Sequence, residues 1–258
     1  MWDEVKAKLR VLKDLDKTRQ VFGARHHLYQ FGPQLTDAQI AAWENANNAA
    51  LPAPLRSYYQ ECGNGGPGPF YGLQSLEKIK GYHPDAPFLD ADQLRDLARQ
   101  NAEDDDEDCE FYYDSENSWD VPDDALQGLL SIIDYGCGTR VCLIANGPRA
   151  GELTYRSDER GLIDGRPLID EFHHWLDQEA TNFRRVIQMM QQVATAQELN
   201  EACIAQYQLY SARDYMVSYL GIVKPADLFG EAENRFHGAS QNPWYEAQFP
   251  RKKIFGLF

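Results

Sequence analysis

The 258-residue sequence predicts an α+β fold: an antiparallel sheet flanked by helices, followed by a helical C-terminal extension. Three observations predict it. Amphipathic stretches with helix-start signals come first, short β-branched runs separated by turn residues follow from Leu129, and a long amphipathic stretch comes after them. Helices, then neighbouring strands, then a helix is not the strand–helix alternation of a parallel sheet.

Val5, Leu9, Leu12 and Leu15 recur at helical spacing and predict a helix from Trp2 to about Val21. Thr36-Asp37-Ala38-Gln39 has the form of a capping box, so a second helix opens there and runs through Ile40, Trp43 and Glu44. Leu51-Pro52-Ala53-Pro54 starts a third with Leu55, Tyr58 and Tyr59 on one side, and Asn64-Gly65-Gly66 closes it. Phe70-Tyr71-Gly72-Leu73 is expected to be a short strand, and a helix is expected around Gln93 to Gln100. Leu129 to Ile133 and Arg140 to Ala145 read as strands, Asn146 to Gly151 as a turn, and Glu152 to Arg156 as the return strand.

Pro167 opens a long helix through Phe172, Trp175, Leu176, Phe183, Val186 and Ile187. Thr195 with Glu198 is a second capping box, for a helix reaching about Leu220. Its stripe of Leu199, Cys203, Tyr207 and Tyr210 needs something to bury against, and packing on the preceding domain is expected. The domain boundaries follow: 1–183, with an acidic insertion at about 100–125, and a helical extension over 184–258 with a turn-rich tail.

Charge is the least uniform property of the chain. There are 40 acidic and 25 basic residues, a net charge of -15. Between Gln100 and Thr139 stand thirteen acids and no lysine, arginine or histidine; the rest of the chain holds 27 acids and 25 bases. The run Glu103-Asp104-Asp105-Asp106-Glu107-Asp108 reads equally as a solvated loop or as a surface for a basic partner. The residues after it argue for a surface, because Glu110, Asp114, Glu116 and Asp120 are interleaved with Phe111, Tyr112, Tyr113 and Trp119. Stretches that only stay solvated are poor in aromatics. Such a patch repels nucleic acid and anionic membrane, so neither is an expected partner.

An apolar content of 43% supplies a sizeable core. No apolar run approaches a membrane helix, no signal segment stands behind Met1, and the cysteines are five and scattered, so a reducing cytoplasm is the expected compartment. The ending Arg251-Lys252-Lys253-Ile254-Phe255-Gly256-Leu257-Phe258 suits docking on protein, either this chain's own surface or a second copy in a homodimer.

Ile40 to Glu44, Leu51-Pro52, Tyr58-Tyr59, Asn64-Gly65-Gly66 and Gly68-Pro69-Phe70-Tyr71-Gly72-Leu73 together resemble the front half of a SUKH-superfamily domain. Gly136-Cys137-Gly138, Asn146-Gly147-Pro148, Gly151, Phe172 and Trp175-Leu176 resemble its back half, so the resemblance covers roughly 36–178. The superfamily includes the yeast cell-wall assembly regulator and many bacterial immunity proteins. Two departures stand out: Tyr155 where the family hairpin often carries tryptophan, and a longer, more acidic stretch between Leu76 and Leu126. The resemblance implies a binding module rather than an enzyme, with Tyr58, Phe70, Leu143, Phe172 and Trp175 as core and the partner surface in the unmatched, charged parts.

The residues themselves offer little chemistry. There is no GxSxG, GxxxxGK[ST] or GxGxxG. His26-His27 and His173-His174 are adjacent, so their side chains diverge. Cys62, Cys137 and Cys142 read as buried structural thiols. Asp104, Asp106 and Asp108 mimic the start of a calcium loop, but Cys109 and Ser115 stand where glycine and a bidentate glutamate are needed. No catalytic residue, metal or cofactor is expected. The leading expectation is an immunity protein that neutralises a cognate toxin, possible targets including a basic nuclease. The alternative is a regulatory scaffold with several weaker partners.

Overall fold

The computed structural model describes residues 1–104, 118–119, 126–157, 161–193 and 196–221, with side chains outside 98–104, 118–119, 157, 161, 164 and 196. Two compact units emerge. One comprises Met1–Asp3 and His26–Trp175; the other comprises Glu4–Arg25 and the chain from Leu176 onward. The division falls inside the first helix, α1 (Trp2–Leu15), and inside α6 (Leu168–Met189).

A short helix, α2 (Ala24–His27), also straddles the division, and the first unit continues with α3 (Asp37–Asn47) and α4 (Ala53–Glu61). The capping box at Thr36 forms as the sequence predicts: its hydroxyl accepts from the Gln39 N–H while the Gln39 side chain returns to the Thr36 N–H. On α4, Leu55, Tyr58 and Tyr59 are fully buried. Tyr58 lies at the centre of an aromatic cluster, edge-on to Trp2 at 5.1 Å and tilted against Phe172 at 5.6 Å. Edge-to-face rings of this kind add to the area they bury.

The sheet is antiparallel, with strand order β1 (Lys80–Tyr82), β3 (Leu129–Gly136), β4 (Thr139–Ile144), β5 (Glu152–Ser157), β6 (Gly161–Pro167) and β2 (Ser118–Trp119). The fold is therefore α+β, with an antiparallel sheet and flanking helices. The expected hairpin is β4–β5, where Val141 stands opposite Tyr155 and Leu143 opposite Leu153. Alternation gives the sheet two buried faces. Leu129, Cys142, Ile144 and Leu162 pack with Phe88, Leu126 and Leu94 of α5 (Ala91–Asp104), while Leu130, Val141, Leu143 and Leu153 point the other way and are buried too.

Several elements differ from the sequence expectation. Phe70–Leu73 is a turn, not a strand: Phe70 adopts φ +55, Gly72 N–H donates to Pro69 O, and only Leu73 bridges, to Gly66 and Ile133. Phe70 is half-buried rather than core. Helix α1 stops at Leu15, well short of Val21, because the buried Asp16 carboxylate captures the Gln20 and Val21 N–H groups at 2.7 and 3.2 Å. Pro167 closes β6 instead of opening the helix, which begins at Leu168. The helix expected to reach Leu220 is two, α7 (Ala196–Tyr207) and α8 (Ala212–Leu220), separated where Gln208 takes φ +54; Thr195 of the second capping box lies outside the described residues.

The second unit buries Leu9 and Leu12 of α1, Phe183, Val186 and Met189 of α6, Leu199 and Cys203 of α7, and Met216, Val217 and Leu220 of α8. Two buried polar clusters inside it are hydrogen-bonded. The Ser218 hydroxyl donates to Asp16 and accepts from the Thr18 N–H, and Tyr215 donates to Glu179 at 2.6 Å while accepting from Asn182 at 3.0 Å.

Candidate functional site

The acidic stretch is entered and left through elements held by the sheet. Leu94 of α5 is fully buried and Leu97 partly so, against one face of the sheet. The helix then runs on to Asp104, which places Glu103 and Asp104 in its last turn. At the far end, Ser118 pairs with Ile163 and Trp119 with Leu162, so Trp119 stands on the edge strand β2. The structure thus brings both ends of the stretch to the same sheet. Asp105, Asp106, Glu107, Asp108, Glu110, Phe111, Tyr112, Tyr113, Asp114, Glu116 and Asp120 lie outside the described residues.

A second region, not singled out by the sequence, gathers polar and aromatic side chains in the first unit. Tyr155, Gly165, Arg166, Glu171 and His174 line a cleft of about 240 Å³. Glu171 follows Leu168 by three residues and precedes Trp175 by four, which puts a carboxylate on the apolar stripe of α6; its side chain is 9% exposed. The Tyr155 hydroxyl hydrogen-bonds to it, and Arg166 Nε stands 3.7 Å from its Oε2. Burial first, then the Glu171 charge and hydrogen bond, pushes the Tyr155 hydroxyl well above its ordinary pKa, so it stays protonated and donates. Phe70 packs edge-on to Tyr155 at 6.2 Å and lies tilted against Tyr135 at 4.0 Å. Tyr135 is 40% exposed.

Beside this rim lies an open groove of about 680 Å³, lined by His26, His27, Gly65, Gly66, Tyr71 and Lys78 among others. The adjacent histidines diverge as the sequence implies. His26 is exposed with Nδ1 3.0 Å from Tyr71 O, whereas His27 is buried and its Nδ1 accepts from the Tyr29 N–H. Cys62, Cys142 and Cys203 are buried, and desolvation pushes the Cys142 thiol up to about 12, which makes it a poor nucleophile. Cys137 departs from expectation: it is exposed, at φ +50, between Gly136 and Gly138 at the tip of the β3–β4 connection. Among the described residues, no three His, Cys, Asp or Glu side chains converge as metal ligands, and no helix is long and apolar enough to cross a membrane.

The sheet topology and its helices define an α+β domain of the antiparallel, helix-flanked kind. Its particular family follows from comparison: a profile of the SMI1 / KNR4 family (SUKH-1) matches residues 34–178, more than half of the chain, and the chain belongs to that family. Membership is compatible with immunity and regulatory roles, and the family is associated with protein partners and is generally non-enzymatic. No curated protein matches. No solved structure matches either.

Proposed function

We propose that the chain is an immunity protein that binds a cognate protein toxin in the cytoplasm and neutralises it by occluding its working surface, with no catalysis of its own. The contact residues are those of the acidic, aromatic-bearing stretch: Glu103 to Asp108, Glu110 to Asp114, Glu116, Trp119 and Asp120. The observation that carries the reading is concentration of charge in a member of this family: thirteen acids without a base in one window of a chain that is otherwise nearly balanced. A nuclease toxin holds phosphates in a basic cleft, and such a window complements that cleft. Charge then accelerates encounter, and buried aromatic anchors slow release.

Changing Asp104, Asp105, Asp106 and Asp108 together to Lys tests this. The association rate with the toxin is expected to fall about 10- to 100-fold at low salt while the unfolding midpoint stays put. An unchanged association rate means the window is not the docking surface. The toxin is identified by capture from the cell lysate at low and high salt. One stoichiometric basic partner supports the immunity reading, whereas many weak, salt-sensitive partners favour a regulatory scaffold.

A further inference from the structure

We propose that the cleft formed by Tyr155, Gly165, Arg166, Glu171 and His174 receives an arginine side chain of the protein partner, as a specificity pocket separate from the acidic stretch. That the partner is a toxin rests on the reading above; the chemistry of the pocket does not.

Glu171 is the reason. A carboxylate offers about four acceptor positions. The Tyr155 hydroxyl fills one, and Arg166 stops at 3.7 Å, beyond ordinary hydrogen-bond contact. The remaining capacity belongs to a buried carboxylate that lines a cleft instead of packed protein. Buried carboxylates are costly unless cationic donors meet them, so this one favours a donor that brings charge. At about 240 Å³ the cleft suits one side chain, being smaller than the general range for small-molecule sites.

Arginine fits better than lysine. Its planar fork matches a carboxylate, its weak hydration tolerates burial, and it lies well against aromatic rings. Tyr155 supplies such a ring, held by Phe70, and Tyr135 extends the aromatic surface outward to where the partner's flanking chain would rest. Tyrosine and arginine are the residue types that concentrate binding energy at interfaces. The resident Arg166 is 47% exposed, so it can turn outward and leave the carboxylate to the incoming guanidinium. The bland account is that Arg166 and Glu171 merely fasten α6 to the sheet. It explains the burial of Glu171 but not the open cleft or the long Arg166 contact.

The probe is the blocked tripeptide Gly-Arg-Gly, titrated at physiological salt into the full ¹⁵N-labelled chain, with Gly-Lys-Gly and Gly-Glu-Gly as controls. Saturable amide shifts at Gly165, Arg166, Glu171 and His174 are expected for the arginine peptide, weaker ones for lysine and none for glutamate. Arg166→Gln removes the competing cation and is expected to tighten binding several-fold; Glu171→Gln is expected to weaken it about tenfold, or 1.4 kcal/mol. If Glu171→Gln does not fold, Arg166→Gln decides alone. Absence of shifts at tens of millimolar, equal shifts with the glutamate peptide, or weaker binding by Arg166→Gln each overturns the proposal. A positive titration with no toxin in the capture experiment removes the immunity reading and keeps the pocket, and the reverse result removes only the pocket.

Discussion

Gly32, Gly63 and Gly66 let two stretches of backbone cross closer than any side chain permits. A Cβ on Gly32 would stand 2.3 Å from the Asn64 carbonyl oxygen, and one on Gly63 would stand 2.1 Å from that of Gly32. Gly32→Ala is therefore expected to cost at least ~3 kcal/mol in urea unfolding. Gly147→Ala is its control: φ is +97 but nothing lies nearer than 3.7 Å, so only the ~1–2 kcal/mol of left-handed strain applies. Equal losses for the two would mean that the crossing is not tight. Glu179 makes a pH-dependent prediction. Burial is the main cause raising its pKa; the Tyr215 hydrogen bond lowers it, and the Asp16 charge raises it further. A raised carboxyl pKa means the folded state favours the protonated form, so its contribution is full below the unfolded pKa and is lost as pH rises through the folded one. Glu179→Gln is expected to raise the melting temperature at pH 7, by ~2–4 °C if relief of burial is worth about 1 kcal/mol, and to leave it unchanged at pH 4. A melting temperature lowered equally at both pH values would sink this account.

At the scale of elements, two placements decide how the charged stretch is presented and how the second unit closes. Leu94 fixes α5 against the sheet, so Leu94→Ala is expected to cost about 2–5 kcal/mol. Ser218 ties α8 to the loop after α1, and Ser218→Ala, which removes one donor from the buried Asp16 carboxylate and takes the acceptor from the Thr18 N–H, is expected to cost about 1–3 kcal/mol. Denaturant titration checks both, and a loss below 0.5 kcal/mol, the ordinary surface level, would refute either assignment. These placements also show what a sequence can disclose. The Thr36 capping box, the β4–β5 hairpin and the burial of Tyr58, Leu143 and Phe172 were legible because each rests on neighbours in the chain. The end of α1 was not, because an aspartate stops a helix only when its carboxylate finds the later N–H groups. β6 was missed because Asp164, Gly165 and Arg166 interrupt its apolar pattern. The cleft was invisible for a related reason: Tyr155, Arg166 and Glu171 come from three elements and form no motif. The one available signal was a glutamate seated among Leu168, Phe172 and Trp175.

Across the whole molecule, net charge and fold are separable. Replacing 105–117 by a short Gly-Ser linker is expected to shift the melting temperature by only a few degrees, since Leu94 and the β2–β6 ladder hold the flanking elements and loop length is weakly penalised. Unfolding of that variant, followed by circular dichroism, would show that the replaced segment belongs to the core. The second unit carries a different consequence. It draws on Glu4–Arg25 and on the chain from Leu176, and the Asp16–Ser218 bond spans 202 residues. On a ribosome adding ~5–20 residues per second, α1 emerges roughly 10–40 s before α8 is made. Through that interval the buried Asp16 carboxylate lacks the Ser218 hydroxyl and the Thr18 N–H lacks its acceptor, so the segment after α1 waits incomplete, a natural target for chaperones. A transcript cut short before Ser218 would yield a chain in which the segment after α1 never gains that partner, an easy product for the cell's proteases to find.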